Sequence, residues 1–165
     1  MISFINGIVD SISTNEIVLD NNGFGVQIFC SASTINACQG VGTHMKICTY
    51  MYIREDEIAL YGFSREEERK LFLRLISISG IGPKMAMSIL SGLDLKTVIV
   101  AIATSDIKTL TKVKGLGKKM AELICVSLKE QIAEDFAGGN IPDAISAELS
   151  DAVFALSSLG ISQTE

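Results

Sequence analysis

The chain lacks any apolar run near the ~20 residues that a membrane span needs. Its longest notable run, Val98 to Ala103, suits a buried helix segment, and no membrane partner is expected. It also lacks a Cys-x-x-Cys pair. Cys30, Cys38, His44 and Cys48 lie close together in sequence, yet structural metal loops bring their ligands in tight pairs that fix geometry. Spread over strand-like sequence, these cysteines, with Cys125, read as buried free thiols in a reducing compartment, and no metal is expected. No Gly-x-x-x-x-Gly-Lys-Ser/Thr loop is present, which excludes a motor built on that ATP-binding turn. Met1-Ile2-Ser3-Phe4 lacks the basic start of a signal peptide, so a cytoplasmic location is the expectation. Finally, net positive charge is missing: the chain carries −5 over 165 residues.

What is present is a repeat. Gly80-Ile81-Gly82-Pro83-Lys84-Met85-Ala86 returns 35 positions later as Gly115-Leu116-Gly117-Lys118-Lys119-Met120-Ala121. Each copy stands between apolar helical runs. Glycine permits turn conformations that other residues avoid and lets a ligand approach the main chain closely. The free N–H groups at the start of the following helix then favour a phosphate. Pro83 suits a first helical position, where its missing N–H would be unpaired anyway. One such turn between helices is commonly a mere connector. Two at a repeat period, both lysine-bearing, point to paired backbone anion sites built from Gly80, Gly82, Lys84, Gly115, Gly117, Lys118 and Lys119. The ligand that fits is a nucleic-acid backbone.

Charge distribution agrees. Ser79 to Lys129 holds eight lysines against Asp94, Asp106 and Glu122, a local +5 that leaves −10 on the rest. The local field governs docking of a polyanion, so the repeat is a basic island on an acidic protein.

The hydrophobic content of 48% is ample for real cores, and the fold class expected is α+β with several domains. Residues 1–63 read as a five-stranded barrel of the OB type: Ile2 to Val9, Glu16 to Asp20, Phe24 to Cys30, Met45 to Ile53 and Ile58 to Phe63, with a short helix near Ser33 to Ala37. Val26, Ile28 and Cys30 share one face, as do Met45, Ile47, Thr49, Met51 and Ile53. Asn21-Asn22-Gly23 is a turn, and Arg54-Glu55-Asp56-Glu57 tips the last hairpin. Residues 64–136 read as helical, opened by a capping box at Ser64-Arg65-Glu66-Glu67. Helices follow over Lys84 to Leu90, Leu95 to Ala103, Asp106 to Val113 and Lys118 to Phe136. Met85, Met87, Ile89 and Leu90 belong to the core. Residues 137–145 have linker composition, and 146–165 begin with an amphipathic helix, Ser146 to Leu159. A lone helix is marginal in water, so this last segment is expected to open a helical domain that is incomplete here.

The order of these parts resembles the RuvA family, the Holliday-junction-binding subunit of the bacterial branch-migration machine. Arg54-Glu55-Asp56 followed by Leu60-Tyr61-Gly62-Phe63 is similar to the family's acidic pin and barrel exit. Gly80-Ile81-Gly82-Pro83-Lys84 with Ile89-Leu90-Ser91-Gly92, and Gly115-Leu116-Gly117-Lys118-Lys119 with Ala121-Glu122, are similar to its two helix-hairpin-helix motifs. Lys114 stands where the family commonly has proline, and Phe4 and Asn6 where it usually carries basic residues. The resemblance implies a non-catalytic subunit, with no cofactor and no catalytic residue, that binds four-way junction DNA by shape in recombination and repair. It implies a homotetramer, or an octamer on DNA, with one subunit per arm and with Glu55 and Asp56 converging on the crossover. Its implied partners are a RuvB-type hexameric ATPase motor, contacted through the C-terminal domain, and a junction resolvase in the same complex.

Two other readings compete. Helix-hairpin-helix repair enzymes place a catalytic Asp or Lys after the hairpin, but Asp94 and Asp106 flank helix starts and read more simply as N-caps. A single-strand or RNA-binding barrel needs aromatic stacking platforms, for which Phe29, Tyr50 and Tyr52 are the candidates.

Overall fold

The computed structural model describes residues 1–137. Five strands come first: β1 (Phe4–Ile12), β2 (Glu16–Asn21), β3 (Phe24–Cys30), β4 (His44–Ile53) and β5 (Ile58–Phe63), with the short helix α1 (Ala32–Ala37) between β3 and β4. They close into a barrel in the order β1-β2-β3-β5-β4. All pairings are antiparallel except β3 with β5. The expected OB-like barrel is therefore formed, with one strand longer than its hydrophobic pattern suggests. β1 pairs with β4 through Phe4–Ile8 and with β2 through Ile8–Ile12, turning at an irregularity between Val9 and Ser11.

Val9, Ile17, Leu19, Ile28, Cys30, Ile47 and Leu60 fill the barrel. Its interior is tight at Gly62, where an added Cβ would run into the methyl groups of Ile28 and Ile47. The alternation expected along β4 holds at Ile47 and Thr49, which are buried. It fails at Ile53, which is 63% exposed and pairs with Ile58, 76% exposed. The last hairpin runs on past Tyr52 and Ala59, which pack on the helical core, and at Ile53 and Ile58 no described residue buries it.

The helices are α2 (Glu66–Ile76), α3 (Pro83–Gly92), α4 (Leu95–Ala103), α5 (Ile107–Leu110) and α6 (Lys118–Ala137). Asp94 and Asp106 cap α4 and α5, accepting from the backbone N–H of Thr97 at 2.9 Å and of Thr109 at 3.0 Å. The expected helix from Asp106 to Val113 stops at Leu110. Lys112 and Val113 instead donate to Thr109 and Leu110, a tighter i→i−3 turn that lowers Val113 into the core. The capping box at Ser64 is not formed. The N-cap of α2 is Arg65, with no side-chain cap bond, and Glu68 takes the third helical position. Glu68 points inward, where its carboxylate accepts from Ser31 Oγ at 2.5 Å, Ser33 Oγ at 2.6 Å and Thr34 Oγ1 at 3.2 Å. This buried joint ties α2 to α1, and the backbone N–H of Ser64 adds a bond to Thr34 Oγ1. A buried charge is tolerable only when so partnered, and among the described residues no buried side-chain N or O lacks a hydrogen bond.

The helical core does not stop at the barrel. Ala59, Tyr61 and Phe63 of β5 are buried in one cluster with Leu71, Phe72, Leu75, Ile89, Ile99, Ile102, Ile124 and Leu128. Arg69 reinforces the seam, donating to the carbonyls of Thr49 and Ser3 and pairing with Glu66 at 2.6 Å. Arg74 clamps α2 to α6 through both oxygens of Asp135, at 2.7 and 2.9 Å. No single helix among the described residues is long and apolar enough to cross a membrane. The expected linker and the Ser146 to Leu159 helix lie outside the described residues, except that Ala137 ends α6.

Acid sensitivity follows from these contacts. The carboxyls of Asp94 and Asp106 are held below the usual carboxylate range by bonds from Thr97 and Thr109, and that of Asp135 by its bond from Arg74. A carboxyl with a lowered folded pKa stabilises the fold above its unfolded pKa of about 4 and withdraws that support as pH falls through the lowered value. Acid titration followed by circular dichroism is expected to show stability falling below pH ~4. Asp135→Asn is expected to be less stable at neutral pH and to lose less on acidification. An identical acid profile for the two proteins would contradict this assignment.

Candidate nucleic-acid interface

The two Gly-x-Gly turns have the same internal construction. Gly80 and Gly115 sit at φ +92° and +88°, left-handed backbone that favours glycine. The next residues, Ile81 and Leu116, are plugs, each 4% exposed. Their amides donate to Ile78 and Val113, and the carbonyls of Gly82 and Gly117 accept from Ala86 and Ala121 as the helices begin. Ala86, Ile89 and Leu90 of α3 are buried, as are their counterparts Ala121, Ile124 and Cys125 of α6. The repeat in sequence is thus a repeat in hydrogen bonding and burial.

The copies also seat one another. A Cβ on Gly80 would meet Met120 Cε at 3.1 Å, and one on Gly115 would meet Met85 Cε at 3.5 Å. Met85 and Met120 occupy equivalent places in the two copies, so each turn is backed by the methionine of the other. The turns lie side by side, and Met85 and Met120, like Met87, are half-buried against the core, so that of the expected core stripe only Ile89 and Leu90 are fully inside.

Gly82 and Gly117 are different. A Cβ at either would meet no heavy atom within 4 Å, and Gly82, the N-cap of α3, has an ordinary extended φ of −88°. Nothing inside the fold requires glycine there. The open space lies on the outer side of the turns, beside helix starts that have no side-chain cap at α3. That is the geometry in which a phosphate can reach backbone N–H groups. Lys84, Lys118 and Lys119 are exposed around it. Lys118 lies 3.9 Å from Glu122, one turn along α6. A shallow groove at the second turn is lined by Leu116, Gly117, Lys118, Ile107, Lys108 and Thr111. Lys108 therefore joins this surface. The sequence placed it in the basic island but not at the turn, because it stands on α5, ahead of the motif.

Glu55 and Asp56 are exposed at the tip of the last hairpin, closed by the bond from the Arg54 N–H to the Glu57 carbonyl at 2.8 Å. The Arg54 side chain folds back: its Nε donates to the Tyr52 hydroxyl at 2.9 Å and its guanidinium lies 5.4 Å from the ring centre. The tip is left with its carboxylates facing outward. Glu57 is half-buried and pairs with Lys84 Nζ at 3.5 Å, which joins the acidic turn to the first lysine-bearing turn. Burial and the Glu57 charge push the nearby Tyr61 hydroxyl above its ordinary pKa.

Of the barrel aromatics considered as stacking platforms, Tyr50 and Tyr52 pack inward, and Phe29 packs inward while also lining a groove beside α3. Phe29 and Tyr52 lie 5.9 and 6.3 Å from Tyr61, and Tyr50 lies 5.6 Å from Phe72, all against the helical core. Of the cysteines, Cys30 and Cys125 are buried, while Cys38 and Cys48 are only half-buried. Burial pushes the Cys30 thiol up to about 12. Cys30 lies in the barrel interior, and His44 is exposed at the start of β4.

Comparison with known proteins places this architecture. Residues 1–62 match the family model described as RuvA N terminal domain, and residues 72–130 match the SAM-like Helix-hairpin-helix tandem. Among curated proteins, the Holliday junction branch migration complex subunit RuvA of Acetivibrio thermocellus is 40% identical over 173 residues, covering all of this chain and 86% of the relative. Proteins of the same name from Caldanaerobacter subterraneus subsp. tengcongensis and Acholeplasma laidlawii are 39% and 41% identical over 165 residues, with the same coverage. The first match takes in the barrel with its acidic hairpin, the second takes in both turns, and the relatives match along the whole of this chain: the chain belongs to the RuvA family.

Proposed function

We propose that this chain binds four-way Holliday junctions by shape and holds them open for ATP-driven branch migration by a partner RuvB-type motor. The observation that carries this is the pair of identically built turns, open on their outer side and set in a basic island, joined through Lys84 and Glu57 to an outward-facing acidic tip. Gly80, Gly82, Lys84, Gly115, Gly117, Lys118 and Lys119 are the phosphate-binding set. Phosphate contacts fix position without reading sequence, so recognition rests on geometry. Glu55 and Asp56 form the pin that faces the crossover. Four copies, one per arm, match the symmetry of the junction, and a second tetramer can close over the other face of the DNA. The unit that meets DNA consists of the barrel (1–63) and the hairpins (64–136), with 137–145 as linker and 146–165 as the segment directed to the motor. A junction resolvase shares the complex, and the site of action is the cytoplasm.

The test compares affinity for a four-way junction, linear duplex of equal length and single strands over a salt series, with the mass of the assembly measured alongside. The junction is expected to bind far more tightly than duplex, because the paired hairpins act multivalently only there. Log K is expected to fall steeply with log salt, with a slope of about 0.9 per phosphate neutralised. Lys118→Ala with Lys119→Ala is expected to make that slope shallower and leave the fold intact. Equal affinity for junction and duplex, or a flat salt response, would refute the proposal.

A further inference from the structure

Between the barrel and α3 lies a groove of about 320 Å³ that phosphate binding leaves unused. Its sides are Asn15, Phe29, Glu57, Lys84, Ser88 and Ser91. That volume is at the small end for small-molecule sites, which run from about 300 to 1,000 Å³. It has room for one flat ring system and not for a base pair. The groove offers an aromatic wall, Phe29, half-buried and backed by Tyr61 at 5.9 Å. It offers hydroxyls on one helix face and an ion pair, Glu57 with Lys84, at its mouth. The groove is continuous with the acidic pin on one side, since Glu57 closes the pin turn, and with the first phosphate-binding turn on the other, since Lys84 follows Gly82-Pro83.

We infer that this groove receives one unpaired nucleobase from a strand exchanging at the crossover, with preference for a base that carries an exocyclic amine. The inference rests on the junction-binding reading above. The Glu57–Lys84 pair is exposed on its lysine side, where the side chain is 84% accessible. Such pairs hold weakly and open at little cost. When a strand arrives, Lys84 turns to its phosphate and frees the Glu57 carboxylate, which then accepts from the amine of cytosine or adenine. Phe29 stacks on the face of the base, as aromatic side chains do with unstacked bases. A base lifted out beside the pin is one that cannot re-pair with its old partner, which is what an open crossover requires.

The experiment uses the whole chain and four junctions that differ only at the crossover: fully paired, or carrying one extra unpaired cytosine, thymine or abasic residue. The cytosine junction is expected to bind roughly tenfold more tightly than the abasic one, the scale of one base–aromatic stack. Thymine is expected to fall between them. Ser88→Tyr, at an exposed position on α3, fills the groove and is expected to level all three while keeping affinity for the fully paired junction. Glu57→Ala is expected to erase only the difference between cytosine and thymine. Equal binding of the cytosine and abasic junctions by the unaltered protein overturns the inference. So does a changed assembly mass in Ser88→Tyr, which would mean that a second copy covers the groove. Loss of preference for the fully paired junction over duplex is the separate result that overturns the underlying reading, and the groove inference falls with it.

Discussion

Gly80→Val is expected to lose both stability and junction binding, whereas Gly82→Ala loses junction binding alone. The two glycines are two residues apart and are glycine for different reasons. At Gly80, φ is +92° and a Cβ would lie 3.1 Å from Met120 Cε. A β-branched residue there carries backbone strain of order 1–3 kcal/mol, and pushing into the methionine adds an overpacking cost of roughly 1–3 kcal/mol. Together these are a large share of the ~5–15 kcal/mol that holds a typical domain folded. The damage also crosses to the second copy, because Met120 stands in the first turn of α6, the helix that follows Gly117. At Gly82 the backbone is extended and the Cβ position is empty. Alanine there changes stability by no more than the ~0.5 kcal/mol usual for surface substitutions. Its methyl group would nonetheless stand in the open space through which the proposed phosphate reaches the amides. Denaturant unfolding and junction titration of the two variants separate these effects. A Gly82→Ala protein with full affinity would show that phosphate does not approach that turn.

Neutralising the pin, Glu55→Gln with Asp56→Asn, is expected to raise affinity for linear duplex on the order of tenfold and for the junction much less. Both carboxylates are exposed, and the adjoining Arg54 is turned back onto Tyr52. In the proposed assembly they would repel a duplex laid across the centre, while the open centre of a junction would let the strands pass around them. On this proposal selectivity arises from a penalty on the wrong ligand, so removing it is expected to make binding tighter and less discriminating. The gain for duplex is expected to shrink at high salt, since exposed charges are screened. Unchanged duplex affinity at low salt would remove the pin from the recognition mechanism.

Much of this was legible because local pattern and tertiary structure agree. The alternation in β3 and β4 gave the barrel faces, Asp94 and Asp106 gave two caps, and the 35-residue repeat gave the paired turns. What escaped depends on partners distant in sequence. Glu68 sits in a run of acidic residues that reads as a solvated first turn. Its burial is decided by Ser31, Ser33 and Thr34, more than 30 positions away. Those hydroxyls draw the carboxylate inward and move the cap of α2 from Ser64 to Arg65. The exposure of Ile53 is illegible for a similar reason, because alternation tells which residues share a face and not how far a hairpin outruns the sheet behind it. Nor does a glycine in sequence reveal whether it serves a turn or an approaching ligand. That distinction, between Gly80 and Gly82, needs the surrounding atoms.

The core shared by β5 and the helices has a thermodynamic consequence. Ala59, Tyr61 and Phe63 are barrel residues by backbone and helical-core residues by packing. Melting either part exposes the apolar face of the other, which makes partial unfolding nearly as unfavourable as complete unfolding. The two units are therefore expected to give one calorimetric transition, with matching van't Hoff and calorimetric enthalpies. If the pin and hairpins meet DNA as proposed, that cooperativity is also mechanical. Force applied to an arm of the DNA would then pass from grip to wedge through one body that shares a core.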